Sequence, residues 1–237
     1  MQHRAMDILE QARLQNIGMI EAIRRDSAEI LTVEGDAVLL REKRSGAYML
    51  YAAGYEPGRL LLKQLAVRND VRELTVNRAD LCRLAERLLP LALNFEFYHV
   101  AYFEDRSPVP TQRLEIHIPP EELADLIDAA YPHLDREGVL EHIRTGRLYA
   151  GFWKGEFIGF IGEHPEGSIG LLEIFPEYRR RGFAYDLESF MILLHYSQGK
   201  IPFAQVFVDN EKSLSLQRKL GMDIAGQSCF WLSALPR

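Results

Sequence analysis

The residues best placed to do chemistry lie between Ser168 and Met222. An apolar run, Ile169 to Phe175, leads into Pro176-Glu177-Tyr178 and then Arg179-Arg180-Arg181-Gly182-Phe183-Ala184, with an apolar helical pattern beyond. A strand that feeds a glycine-bearing turn at a helix start builds an anion site. The first N–H groups of the helix have no partner inside it, and the helix dipole adds partial positive charge there. Gly182 lets backbone approach a phosphate, Ala184 keeps the surface low, and the arginines at 179 to 181 carry charge matched to phosphate oxygens. Taken alone, R-x-x-G-x-A also fits a plain helix start with a solvated basic turn. What lifts it is the spacing of later pieces, Asn210-x-x-Ser213 and Lys219-Leu220-Gly221-Met222, beyond the helix and a second strand over Phe203 to Val208.

The elements that must position these residues alternate strand and helix. Apolar spacing predicts a helix over residues 6–25, then strands over 28–33, 37–41 and 47–52 with turns at Glu34-Gly35-Asp36 and Arg44-Ser45-Gly46. Pro57 opens a helix, residues 71–76 read as a strand, Asn77 caps a helix through Leu89, and Phe95 to Phe103 is a further strand. Charges and two prolines at Glu104 to Gln112 break the pattern and mark a boundary, leaving halves of 1–104 and 113–237. The second half reads as a strand (113–118), two helices (119–130 and 135–145), and three strands (148–153, 156–162 and 168–175). A helix (183–197), a strand (203–208), a helix (213–220) and a last strand (227–232) complete it. Lys154-Gly155 marks a tight hairpin turn, and Trp153 and Trp231 fall in strands as core residues.

Composition bounds the function. With 47% hydrophobic and 26% charged residues the 237-residue chain is of ordinary globular type, and its net charge of −6 argues against a broad nucleic-acid-binding surface. The arginine cluster is then a local exception that asks for a local anion. Cys82 and Cys229 give no disulfide framework and are expected as buried thiols. His99, His117, His133, His142 and His195 show no metal-ligand spacing, so no metal is expected. The first residues lack the apolar core of a signal peptide and no run reaches membrane-spanning length, so a cytoplasmic protein without membrane contact is expected.

On Arg179-x-x-Gly182-x-Ala184, Asn210-x-x-Ser213 and Lys219-Leu220-Gly221-Met222, the chain resembles the GCN5-related N-acetyltransferases, the GNAT superfamily. The resemblance implies an α/β (α+β) fold of tandem GNAT-like mixed sheets flanked by helices. In it, 113–237 is the complete acyl-CoA-binding unit and 1–104 a degenerate copy or an α/β cap; where the turn would stand, the first half has Glu56-Pro57-Gly58-Arg59. The two-part layout looks like the glycine N-acyltransferase-like branch. By the same resemblance, Arg179, Arg180, Arg181, Gly182, Phe183 and Ala184 hold the pyrophosphate of acetyl-CoA or another acyl-CoA. Backbone of Ile174 and Phe175 pairs with the pantetheine arm beside a bulge near the proline. Asn210 steers that arm, and Ser213 belongs to the same site or caps the following helix. The implied activity is N-acyl, most simply N-acetyl, transfer to a primary amine of a small molecule or amino acid.

Two positions depart from the family pattern. Gln217 stands where many members place a tyrosine acid, and Ser168 where a general base often stands. Either transfer proceeds mainly by positioning, with protons handled through water, or other residues substitute. Glu173, a carboxylate in an apolar strand, is the first candidate base. Glu163 and His164 are also on the strands, and Tyr185 and Tyr196 lie on the helix after the turn. An acyl-CoA-binding regulatory module with little or no turnover is the competing expectation.

Overall fold

A computed structural model describes residues 1–103, 111–132 and 134–234. The chain divides into two compact units. One comprises Met1–Ala101, Gln205–Ser215 and the segment from Asp223 on; the other comprises Tyr102–Ala204 and Leu216–Met222. Each is mixed α/β.

In the first unit the segment expected as one helix forms two, α1 (Gln2–Leu9) and α2 (Ile17–Arg24), around a short 3-10 turn. The buried Asn16 causes the break: its Nδ2 donates to Leu9 O at 3.0 Å, and a side chain that satisfies backbone competes with helix continuation. Strands β1 (Ala28–Glu34), β2 (Ala37–Glu42) and β3 (Tyr48–Ala52) form an antiparallel meander. Helix α3 (Tyr55–Leu65) returns the chain so that β4 (Glu73–Val76) lies parallel to β3. Helix α4 (Ala79–Leu88) and β5 (Leu91–Ala101) follow. Leu50, Leu61, Leu62, Leu74 and Leu81 form one core, and Leu9, Ile20, Val38 and Leu40 form another with α1 and α2.

Asn77 does not cap α4. Its carboxamide instead brackets Ala52, accepting from the N–H at 3.0 Å and donating to the C=O at 3.1 Å. Arg78 takes the cap position without a side-chain bond.

The last strand corrects the expected partition. β12 (Cys229–Ala234) lies between β4 and β5, antiparallel to both, and β11 (Asp223–Ile224) pairs with β5, so the C-terminus belongs to the first unit. Alternating hydrophobicity shows that a segment is a strand but not which neighbours it joins. Of the expected boundary, residues 104–110 lie outside the described residues.

In the second unit, β6 (Glu115–His117), β7 (Leu148–Trp153), β8 (Glu156–Glu163) and β9 (Ile169–Ile174) pair antiparallel in sequence order. Helices α5 (Ala124–Ala130) and α6 (Arg136–Arg144) come before β7, with Asp135 capping α6 by accepting from Gly138 N–H. They pack Ile127, Val139 and Leu140 against Leu148, Phe160 and Leu171. The β7–β8 turn takes positive φ at Lys154 (54°) and Gly155 (80°), the two-residue hairpin form expected. Helix α7 (Phe183–Ser197) follows in this unit, and β10 (Phe203–Phe207) and α8 (Glu211–Leu220), next in the order the sequence predicts, each have residues in both units. Among the described residues no helix is long and apolar enough to cross a membrane.

Candidate anion-binding site

The site is built on β9, which is distorted. Phe160 pairs with Glu173 and Gly162 with Gly170, so Leu171 and Leu172 together face Ile161, a β-bulge. Leu171 adopts φ 54°. For a branched residue that conformation costs on the order of 1–3 kcal/mol and marks functional segments. The bulge sits here rather than beside Pro176. β8 approaches closely: a Cβ on Gly159 would stand 2.2 Å from Glu173 O.

Phe175 N–H donates to Ile158 O at 3.0 Å. By antiparallel alternation the polar groups of Ile174 then point away from β8. Ile174 C=O accepts from Arg179 Nε at 2.8 Å, and its N–H is the donor left on that edge. The Phe175 C=O accepts from Tyr178 N–H, and its ring packs on Phe157.

Beyond a 3-10 turn at Pro176–Tyr178, Arg180 (φ 62°) and Gly182 (φ 84°) take left-handed conformations. Alternation of this kind turns successive N–H groups toward one concavity. Gly182 occupies the N-cap position of α7 without a side-chain cap. Among the described residues, the N–H groups of Gly182, Phe183 and Ala184 have no protein acceptor.

The side chains around this turn differ from the sequence expectation. Arg179 is committed within the protein, to Ile174 O and to Glu173 Oε1 at 2.7 Å. Glu173 is therefore the ion-pair partner of Arg179. Arg113, which no motif singles out, is held at the turn instead. It donates to Asp186 Oδ2 at 2.9 Å, lies over the Phe183 ring at 5.2 Å, and would stand 3.0 Å from a Cβ on Gly182. Asp186, 1% exposed, also accepts from Thr111 N–H (3.0 Å) and Oγ1 (2.8 Å). No local pattern could link Arg113 to Asp186 across 73 residues. Trp153 is half-buried rather than core, packed on Phe183 at 5.7 Å, with Lys154 and Arg181 against its ring.

Of the remaining candidates, Glu163 and Tyr196 are engaged through their functional groups. Glu163 is buried, but hydrogen bonds and charge from His195 and Lys200 outweigh its desolvation and hold its carboxyl down at about 2. Tyr196 Oη donates to Tyr102 O, Lys219 Nζ lies over the Tyr185 ring, and His164 N–H closes a turn on Ser168 O. Ser168 is fully buried and donates to Glu166 at 2.6 Å. Gln217 Nε2 donates to Glu188 Oε1 at 2.7 Å inside the second unit. Burial pushes the Glu188 carboxyl up to about 7, against the Gln217 hydrogen bond, so it is largely neutral in weak acid.

Asn210 and Ser213 fall in the first unit, where Asn210 Oδ1 accepts from Ser213 N–H at 3.1 Å. Asn210, not Ser213, is the cap of α8, since an N-cap side chain reaches the N–H three residues on.

Residues 147–232 match the family model described as FR47-like protein. Among solved structures, a Drosophila protein superposes with a TM-score of 0.63 at 13% identity, covering 99% of this chain and 96% of that one. A putative GNAT-family acetyltransferase from Novosphingobium aromaticivorans gives 0.55 at 14% identity, covering 93% and 96%. A GCN5-related N-acetyltransferase from Sphaerobacter thermophilus gives 0.54 at 17%, covering 98% and 94%. None of the curated proteins matches the sequence. The chain has the fold of the GNAT superfamily, and its C-terminal half carries an FR47-like domain.

Proposed function

We propose that the chain is an acyl-CoA-dependent N-acyltransferase, most simply an acetyltransferase, acting on the primary amine of a small molecule or amino acid. The observation that carries this reading is the start of α7: Gly182 at positive φ, unpaired N–H groups at Gly182, Phe183 and Ala184, and cations around them, directly after a bulged strand. That arrangement suits a pyrophosphate. The GNAT fold, shared with a putative GNAT-family acetyltransferase and a GCN5-related N-acetyltransferase, supports acyl-CoA as its source.

In the reaction the neutral amine attacks the thioester carbonyl, a C–N bond forms, the C–S bond breaks, and the thiolate leaves and takes up a proton. The Ile174 N–H is the donor suited to the developing oxyanion. Glu173 and Glu163 are tied to cations, so the ammonium proton passes to water and the chain acts mainly by positioning. The test is release of free thiol from acyl-CoAs of several chain lengths over a panel of amines, amino acids and aminoglycosides. Release with at least one acceptor is expected.

A second reading, a coenzyme-binding regulatory module, is favoured by Gln217 and Ser168, whose side chains are turned into the interior onto Glu188 and Glu166. Measurable acetyl-CoA binding with no release for any acceptor would select it.

A further inference from the structure

On the face of the second unit's sheet that carries α5 and α6, three adjacent strands repeat one arrangement. Each buries one residue under the helices, Leu148, Phe160 or Leu171, and places a half-buried phenylalanine nearer the end of the sheet where α7 starts. These are Phe152, Phe157 and Phe175. Phe152 and Phe157 pair directly across β7 and β8, their ring centroids 5.6 Å apart, and Phe157 meets Phe175 edge to face at 5.0 Å. On the other side the exposed His117 ring stacks on Phe152 at 4.6 Å, with the planes 10° apart. The four rings form one row across the sheet, and contiguous apolar surface of this kind marks a contact for a ligand or a partner. By strand alternation Trp153 lies on the opposite face, where it packs on Phe183. The row and the start of α7 therefore share an end of the sheet but not a face.

The charges on this face of β6 to β9 are carboxylates. Glu115 stands directly opposite Phe152, is exposed, and makes no salt bridge among the described residues. Glu173 stands opposite Phe160 and pairs with Arg179, whose guanidinium is also taken by Ile174 O. Lys154, at the turn, lies over Trp153 on the other face.

We propose that this row seats the acceptor, and that the acceptor is a primary amine joined by a short chain to an aromatic ring and carrying no carboxylate. The inference rests on the N-acyltransferase reading and names its substrate class. Phe175 directly follows Ile174, the donor suited to the oxyanion, so an amine placed at Ile174 has its ring over Phe175 and Phe157. Ring-on-ring contacts in edge or offset geometry add to the gain from covering apolar area. An arriving ammonium is drawn by Glu115 and by the aromatic faces. A carboxylate on the acceptor would meet Glu115 as a like charge and find Arg179 already engaged.

Thiol release from acetyl-CoA by the whole chain, compared among 2-phenylethylamine, ethylamine and phenylalanine, tests this. The kcat/KM for 2-phenylethylamine is expected to exceed each of the others by at least about tenfold. Phe152→Ala, which opens the middle of the row, should lower it about tenfold through KM, with kcat, the ethylamine rate and acetyl-CoA affinity kept. His117→Ala removes an exposed ring without a packing defect and should act in the same direction. Glu115→Lys should narrow the gap between 2-phenylethylamine and phenylalanine. Equal kcat/KM for 2-phenylethylamine and either comparison amine, or a preference untouched in both ring variants, would overturn the acceptor class and leave the acyltransferase reading intact. A wild-type dimer that Phe152→Ala dissociates would give the row to a second copy and likewise overturn it. No release with any amine would overturn both.

Discussion

At the start of α3, Gly54 is extended (φ −124°), Glu56 puts a negative charge in the first turn, and a Cβ on Gly58 would stand 2.4 Å from Leu81 Cδ1. At the start of α7, Gly182 is left-handed (φ 84°), arginines precede it, and the first-turn carboxylate, Asp186, is buried under Arg113 and Thr111. Both helices follow a strand in their own unit. In the first, glycine serves packing of α3 on α4, and the Asn77 carboxamide takes both polar groups of Ala52. In the second, glycine serves curvature that leaves N–H groups unpaired. A strand–turn–helix segment is therefore not an anion site by topology. It becomes one where backbone conformation leaves donors unpaired and no exposed carboxylate competes.

The largest expected effect separates the two starts. Gly182→Asp forces a side chain into positive φ against Arg113 and puts a like charge at the anion site. It is expected to weaken acetyl-CoA binding at least 100-fold, about 2.7 kcal/mol. Gly58→Ala should leave that affinity unchanged.

Next comes pH dependence in the second unit. With the folded Glu188 carboxyl at about 7 and its ordinary value at 4.5, the unfolded chain loses this proton first as pH rises. Between those values the native state binds more protons. Stability attributable to Glu188 therefore falls on the order of 3 kcal/mol from pH 4.5 to 7 and is flat above. Glu188→Gln removes the ionisation and keeps a partner for Gln217. Urea unfolding at pH 5 and pH 8 should show a shallower pH dependence in the variant; an unchanged slope would contradict a neutral Glu188.

Gly58→Ala should itself cost about 1–3 kcal/mol through overpacking against Leu81, read as a lowered urea midpoint. The smallest effect is that of Asn77→Ala. It leaves Ala52 without its bracket and should cost on the order of 1 kcal/mol with no change in coenzyme affinity. An affinity change there would mean that the first unit's strand end also serves the ligand.

Much of this arrangement is legible in the sequence because it is local. The α7 turn, the Lys154-Gly155 hairpin and the strands around them follow from glycine position and alternation, which act within a few residues. What escapes is set by residues far apart in the chain. Pairing of Arg179 with Glu173, of Asp186 with Arg113 and of Gln217 with Glu188 depends on how strands and helices stack. The Leu171 bulge escapes for a different reason: it is a leucine held against its own conformational preference by the pairing around it. The placement of β12 between β4 and β5 likewise has no signature in its own residues.

The central claim is that one helix start, that of α7, binds the coenzyme and the other does not. Isothermal titration of the whole chain with acetyl-CoA tests it most directly. One site per chain, lost in Gly182→Asp and kept in Asn77→Ala, is the predicted result. Two sites per chain, or binding that survives Gly182→Asp, would contradict it.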